Sequence, residues 1–336
     1  MAGVVGYQEL RRPAVFALRT VAVATCYVAA GRLGLLCRLT VQGAVVTPVY
    51  PSTGVALACL LVFGLGCWPG VSLGALFLVL SLGPPGPDVV GIMVGNTAGP
   101  VCACVLLRRV GFRTDLGRLR DGVALVFLGA LAAMLVSSTV DVVALFLAGK
   151  LAATHFWSIW LAWWAGDAMG VLIVTPVLLV LWEARRPPSA ARWKEALALA
   201  VVTVALVTVA THSTLSALFL VYPVVIWAAL RFRLAGSMLC ALFTSVMAAI
   251  AARDGVGAFA RLSPVSVMLK LQLFNGSLAL TALLLSAVIT EQHHTRRSVE
   301  EACKELAEVL EHLTAHGSPP GRAPTQPEPR RERGAR

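Results

Sequence analysis

Residues 121–148 read DGVALVFLGALAAMLVSSTVDVVALFLA, a run that Asp121 opens and in which Asp141 is the one further charge. A helix needs about 20 apolar residues to cross the hydrocarbon core of a bilayer, and this run exceeds that length. The same pattern recurs on both sides of it, over 14–36, 53–67, 69–83, 88–107, 155–182, 195–211, 214–231, 234–252 and 268–290. The fold expected is all-α, a polytopic transmembrane helical bundle of about ten spans, with about eight as the lower bound. The segments 53–67 and 69–83 are short and share Trp68-Pro69-Gly70 as a hinge, so they read as two thin spans or one re-entrant hairpin.

Composition points the same way. The 336 residues are 58% hydrophobic and 13% charged, about half the charge of an ordinary soluble domain. The net charge of +11 invites a nucleic-acid partner. The arginines, however, sit in short clusters between apolar runs and form no basic stripe interleaved with aromatics, so none is expected. Eight cysteines (Cys26, Cys37, Cys59, Cys67, Cys102, Cys104, Cys240 and Cys303) form no Cys-x-x-Cys pair and lie mostly in apolar runs. They read as packing residues, with no disulfide scaffold and no metal. Arg19 interrupts the first apolar run and no convincing cleavage site follows, so this run reads as a permanent span and not a removable signal.

Cytoplasmic loops collect Lys and Arg. Arg11/Arg12, Arg108–Arg120, Arg185–Lys194, Arg231/Arg233 and Arg296/Arg297 are five basic clusters, and ten spans with the N-terminus inside put all five in the cytoplasm. The other side receives scattered Arg32, Arg38, Lys150, Arg253, Arg261 and Lys270. The domains expected are a cytoplasmic N-terminus over 1–13, a membrane domain over 14–290, a cytoplasmic helix over 291–316 and a disordered Pro/Arg-rich tail over 317–336. In the cytoplasmic helix Val299, Cys303, Leu306, Leu310 and Leu313 are spaced four, three, four and three apart, a coiled-coil seam. So short a helix is marginal alone; it must continue from the last span or pair with another chain, a second copy included.

The most unusual stretch runs from His155 to Gly170 and holds Trp157, Trp160, Trp163 and Trp164 with Gly166 and Asp167. On a helix Trp160, Trp163, Trp164 and Asp167 share a face, because offsets of three, four and seven align. A carboxylate inside a span marks a polar site or a paired charge, and indole faces hold cations. The structural reading makes the indoles an interfacial belt and pairs Asp167 with Arg19, or uses it as a cap where Gly166 breaks the helix. Gly166, Gly170 and Pro176 suit a kinked helix against which others pack closely. Asn96 within Gly95-Asn96-Thr97 reads as an interhelical hydrogen bonder. Asp141 reads as buried or near the outer end of its span, Ser52 or Thr53 as the cap of a helix, and His212 as an exposed loop residue.

No phosphate loop, zinc helix or nucleophile elbow is present. His293-His294 is followed by nothing that resembles a kinase phosphoacceptor helix. His155 and Asp167 lie about 18 Å apart along a helix, too far to act together as an embedded enzyme's site.

Several motifs in order resemble the first type of bacterial membrane-associated sensor (MASE) domain, found in sensor histidine kinases and diguanylate cyclases. They are Pro51-Ser-Thr-Gly-Val-Ala-Leu-Ala58, Trp68-Pro-Gly-Val-Ser-Leu-Gly-Ala75, Gly95-Asn-Thr97, Leu106-Leu-Arg-Arg-Val-Gly-Phe112, Leu119-Arg-Asp121, Trp163-Trp-Ala-Gly-Asp-Ala-Met-Gly170, Thr175-Pro176, Leu230-Arg-Phe-Arg233 and Phe274-Asn275. The resemblance runs from about residue 12 to 291; Ala258 departs from it where a proline is expected. It implies a sensory module whose last span signals to a cytoplasmic output domain, with Asn96, Trp163, Trp164, Gly166, Asp167 and Gly170 as its motif residues. With the chain stopping at Arg336, the expectation is a stand-alone, non-enzymatic, multi-pass sensor of the cell membrane. It would have no cofactor, and residues 291–316 would engage a kinase, cyclase or regulator. The alternative is a small-solute transporter, whose broken helices and intramembrane polar groups would look similar.

Overall fold

The structure, a computed structural model, describes residues 2–41, 44–183, 193–213 and 217–316. Expectations for the Arg185/Arg186/Arg192 loop, the 317–336 tail and the side chains of residues 1–13 and Leu313 lie outside the described residues. Among those described, nine helices form: α1 Ala2–Leu35, α2 Pro51–Phe63, α3 Trp68–Leu80, α4 Asp88–Arg109, α5 Leu119–Leu147, α6 Ala153–Glu183, α7 Trp193–His212, α8 Val221–Arg253 and α9 Pro264–His316. All but α2 and α3 contain a stretch long and apolar enough to cross a bilayer. One short hairpin interrupts the all-α pattern, β1 Leu39–Val41 antiparallel to β2 Ala44–Val46 with Leu39 opposite Val46. Large apolar side chains such as Leu18, Phe77, Leu147 and Leu273 face outward, which in water would be an aggregating surface and in lipid is the ordinary one.

The two helices expected over 214–231 and 234–252 are the two halves of α8, separated as expected at Arg233, whose backbone (φ 53°, ψ −142°) is not helical. The chain reverses there. Arg231 pairs with Glu195 in the first turn of α7, Cys240 lies 3.7 Å from Thr203 in its middle, and Gly257 packs on Thr211 at its end. Ser237 and Ser286, 2.6 Å apart, join the second half of α8 to α9.

The region 53–83 forms two short helices, as the sequence leads one to expect. Helix α3 runs parallel to α1: its Gly70 and Gly74 pack against Thr20/Val23 and Tyr27 respectively. Helix α2 is a half-span. It begins inside the protein, where Ser52 Oγ donates to the Tyr27 carbonyl at 3.0 Å. It ends beside Arg108, whose Nη2 donates to the Leu60 carbonyl at 3.2 Å, and beside Trp182, whose ring meets Phe63 edge-on. Ahead of it the chain is not helical, bending at Pro48 and Val49 before an extended Tyr50. Backbone outside a helix is tolerated at such depth only where protein satisfies it, and here the Tyr50 amide donates to the Gly166 carbonyl at 3.0 Å. Gln272 Nε2 donates to the Pro48 carbonyl at 3.0 Å.

One expectation about a helix cap changes. Tyr50, not Ser52 or Thr53, stands before the first turn of α2, Pro51 being the first helical residue; a proline there surrenders no needed N–H. His212 is exposed, as expected, and closes α7, its Nδ1 3.0 Å from the Thr208 carbonyl oxygen. The chain falls into two units, 1–291 and 292–336. In the second, Val299, Cys303, Leu306 and Leu310 are exposed along the end of α9.

Candidate functional site

Asp167 is 6% exposed on α6. Thr53 Oγ1, in the first turn of α2, donates to its Oδ1 at 2.7 Å, and Ser137 Oγ on α5 donates to its Oδ2 at 2.8 Å. The carboxylate thus sits at the N-terminus of the half-helix, where the helix dipole favours negative charge. Arg19 does not reach it: that side chain is exposed, in the neighbourhood of Cys67.

Ser137 also faces Asp141 one turn further along α5, at 3.5 Å from its Oδ2. Asp141 is 3% exposed. Its Oδ2 accepts from Asn96 Nδ2 on α4 at 3.0 Å, and the same amide nitrogen lies 3.0 Å from the Ile92 carbonyl. Asn96 Oδ1 accepts in turn from the hydroxyl of Tyr27 on α1 at 2.9 Å, and that ring is fully buried. The result is one hydrogen-bonded chain, Thr53–Asp167–Ser137–Asp141–Asn96–Tyr27, that ties together five helices. Neither carboxylate meets a Lys, Arg or His; the ion pairs among the described residues, such as Lys150–Asp88 at 2.7 Å, lie elsewhere. No group of three or more metal-ligating side chains occurs among the described residues.

Gly166 and Gly170 serve the chain crossing above α2. A Cβ at Gly166 would lie 2.6 Å from the Thr47 carbonyl oxygen, and one at Gly170 would overlap that of Tyr50. Gly54 and Gly170 are also in mutual contact, and Thr175 Oγ1 donates to the Gly54 carbonyl at 3.1 Å. Helix α6 widens to a π turn over Gly170–Val174 at this place, a distortion frequent at functional sites.

The indoles that sequence spacing groups with Asp167 hydrogen-bond away from it. Trp160 Nε1 donates to Thr139 Oγ1 at 3.0 Å, Trp163 Nε1 to the Val45 carbonyl at 3.2 Å and Trp164 Nε1 to the Leu131 carbonyl at 2.9 Å. Trp160 and Trp164 stack with centroids 6.2 Å apart. They brace α6 against α5 and β2. Tyr27 and Ser137 went unmarked in the sequence. The signal for Ser137 was its place four residues before Asp141, on the same helix face.

Fold and site together define a multi-pass membrane protein with a buried acidic polar centre that no cation among the described residues pairs with. The family model that matches is MASE1, over residues 19–293, and the chain belongs to that family of membrane-associated sensors. The match covers every element of the polar chain. Neither the curated proteins nor the solved structures gave a match.

Proposed function

We propose that the chain is a sensory protein of the cell membrane in which the Asp167–Asn96 region receives the stimulus and the end of α9 transmits it. Residues 14–290 form the sensory domain. Both termini face the cytoplasm, in line with the basic clusters. Trp160, Trp163, Trp164, Gly166 and Gly170 hold α6 in the shape that presents Asp167. The observation that carries the reading is the polar chain itself: a small change at one carboxylate alters contacts on five helices at once. Its buried charge lacks a partner, which is the usual mark of a functional group inside a membrane.

The output step uses the seam of Val299, Cys303, Leu306, Leu310 and Leu313. Glu301, Lys304, Glu305, Glu308 and Glu311 fall away from that seam, while Ala302, Ala307 and Val309 flank it. Two copies inserted in the same orientation bring their seams together in parallel, with Cys303 facing its counterpart; a kinase, cyclase or regulator carrying a matching helix would dock on the same face. Mild oxidation of the full-length protein in native membranes should give a disulfide-linked dimer that Cys303→Ser abolishes. Asp167→Asn should change the rate of that cross-link by about fivefold or more, the lower range for coupling between distant sites. An identical rate in the Asp167→Asn variant removes the relay.

One observation favours a transporter as a second reading: a half-helix beginning beside a buried carboxylate is a device of substrate carriers. Uptake of labelled solutes into proteoliposomes, lost in Asp167→Asn, would establish it.

A further inference from the structure

Ser137 has one hydrogen to give and stands between two carboxylates. At 2.8 Å from Asp167 Oδ2 and 3.5 Å from Asp141 Oδ2, it gives that hydrogen to Asp167. The short distance and the α2 N-terminus both stabilise charge on Asp167. Asp141 has no such help. Its Oδ2 has one strong donor, the Asn96 amide, and its Oδ1 is buried with no hydrogen-bond partner. That free oxygen lies against Gly95 of α4, so closely that even a Cβ there would collide with it. A second full charge here would be buried, unpaired and next to a like charge, the costliest arrangement a membrane interior offers. What the site lacks is a hydrogen.

We propose that Asp141 is a proton-binding site, holding one proton for the Asp141–Asp167 pair and donating it through Oδ2–H to Ser137 Oγ. The chain of donors then closes: the Asp141 acid gives to Ser137, Ser137 gives to the Asp167 carboxylate, and Asn96 gives to the Asp141 oxygen. The other ionisable groups facing the pair are the hydroxyls of Tyr27 from α1 and Tyr50 ahead of α2. Helices α2 and α4 supply only hydroxyl and amide groups to it. When the proton leaves for bulk water, no bond is otherwise broken and no electron moves. The two carboxylates are then left sharing the single hydrogen of Ser137, and their repulsion loosens α5 from α4 and α6. This deepens the sensor reading, on which it rests for its consequence, by naming the proton as the species the buried site takes up.

Infrared spectroscopy of the full-length protein in lipid vesicles at neutral pH tests it directly. A carboxylic-acid C=O band that shifts in heavy water and disappears in Asp141→Asn is the expected result. No difference between the two proteins would show Asp141 ionised and end the proposal. Should Asp141→Asn fail to fold, Ser137→Ala removes the acceptor of the acid O–H and must move the band to higher frequency; an unmoved band overturns the proposal equally. The measurement reads the proton, not signalling. A band lost in Asp141→Asn together with cross-linking indifferent to Asp167→Asn would leave the proton site standing and remove only the relay.

Discussion

Gly170→Ala will destabilise the protein by about 3 kcal/mol, the upper end of overpacking in a close-packed interior. The added methyl lands on the Tyr50 carbonyl, with the Tyr50 carbonyl carbon only 2.9 Å away. Both are backbone atoms, so no side chain can swing aside. The non-helical stretch ahead of α2 must retreat, and it carries Tyr50 N–H away from the Gly166 carbonyl and Thr53 away from Asp167. A fall in melting temperature of roughly 5–10 °C is expected for a loss of this size, followed by tryptophan fluorescence in detergent. Gly276→Ala is the control. Its Cβ would meet only the flexible end of Met169, at 3.7 Å, and it should change stability by less than about 0.5 kcal/mol.

Asn96→Ala is expected to cost about 2–6 kcal/mol, because it strands two buried groups at about 1–3 kcal/mol each. The Tyr27 hydroxyl loses its acceptor and Asp141 Oδ2 loses its amide donor. Tyr27→Phe alone should cost about 1 kcal/mol, the net worth of one hydrogen bond. Combined with Asn96→Ala it should cost less than it does alone, since the Asn96 acceptor of that hydroxyl is already gone there. Denaturation of the four proteins of this cycle measures the coupling, and strict additivity would mean that the bond is not formed in the membrane-embedded protein.

These two effects differ in how far the sequence announces them. Asn96 and Asp167 stand out because each is polar inside an apolar run, and the cost of burying them is written in the residue type alone. Gly166 and Gly170 are legible as a place of close approach. What approaches is legible only in part: helix-on-helix packing is the natural reading of small residues four apart and is found between Gly170 and Gly54, but Thr47 and Tyr50, in the non-helical chain ahead of α2, crowd the same two glycines. The shared helical face of Trp160, Trp164 and Asp167 follows from spacing, yet spacing is silent about which neighbour each indole finds. Leu131 lies where α5 widens into a π turn over Leu125–Ala132, and its carbonyl draws in Trp164. The reversal at Arg233 is legible, because the charges of Arg231 and Arg233 interrupt an otherwise apolar run and divide it into the two expected spans. The shortness of α2 is legible, with 53–67 expected and Pro51–Phe63 found. What hydropathy does not show is that the non-helical residues ahead of it, Val46-Thr47-Pro48-Val49-Tyr50, find their tertiary partners on α6 and α9.

Those partners set an order of events during synthesis. A complete helix enters the bilayer carrying its own hydrogen bonds. The stretch from Val46 to Tyr50 cannot, since its amide and carbonyl groups are met by Gly166 on α6 and Gln272 on α9. Until the ribosome has delivered α6 and then α9, this segment has nowhere dry to go. The first third of the membrane domain is therefore finished by the last helix to be made, and a chain cut short before Gln272 leaves the Pro48 carbonyl without its donor.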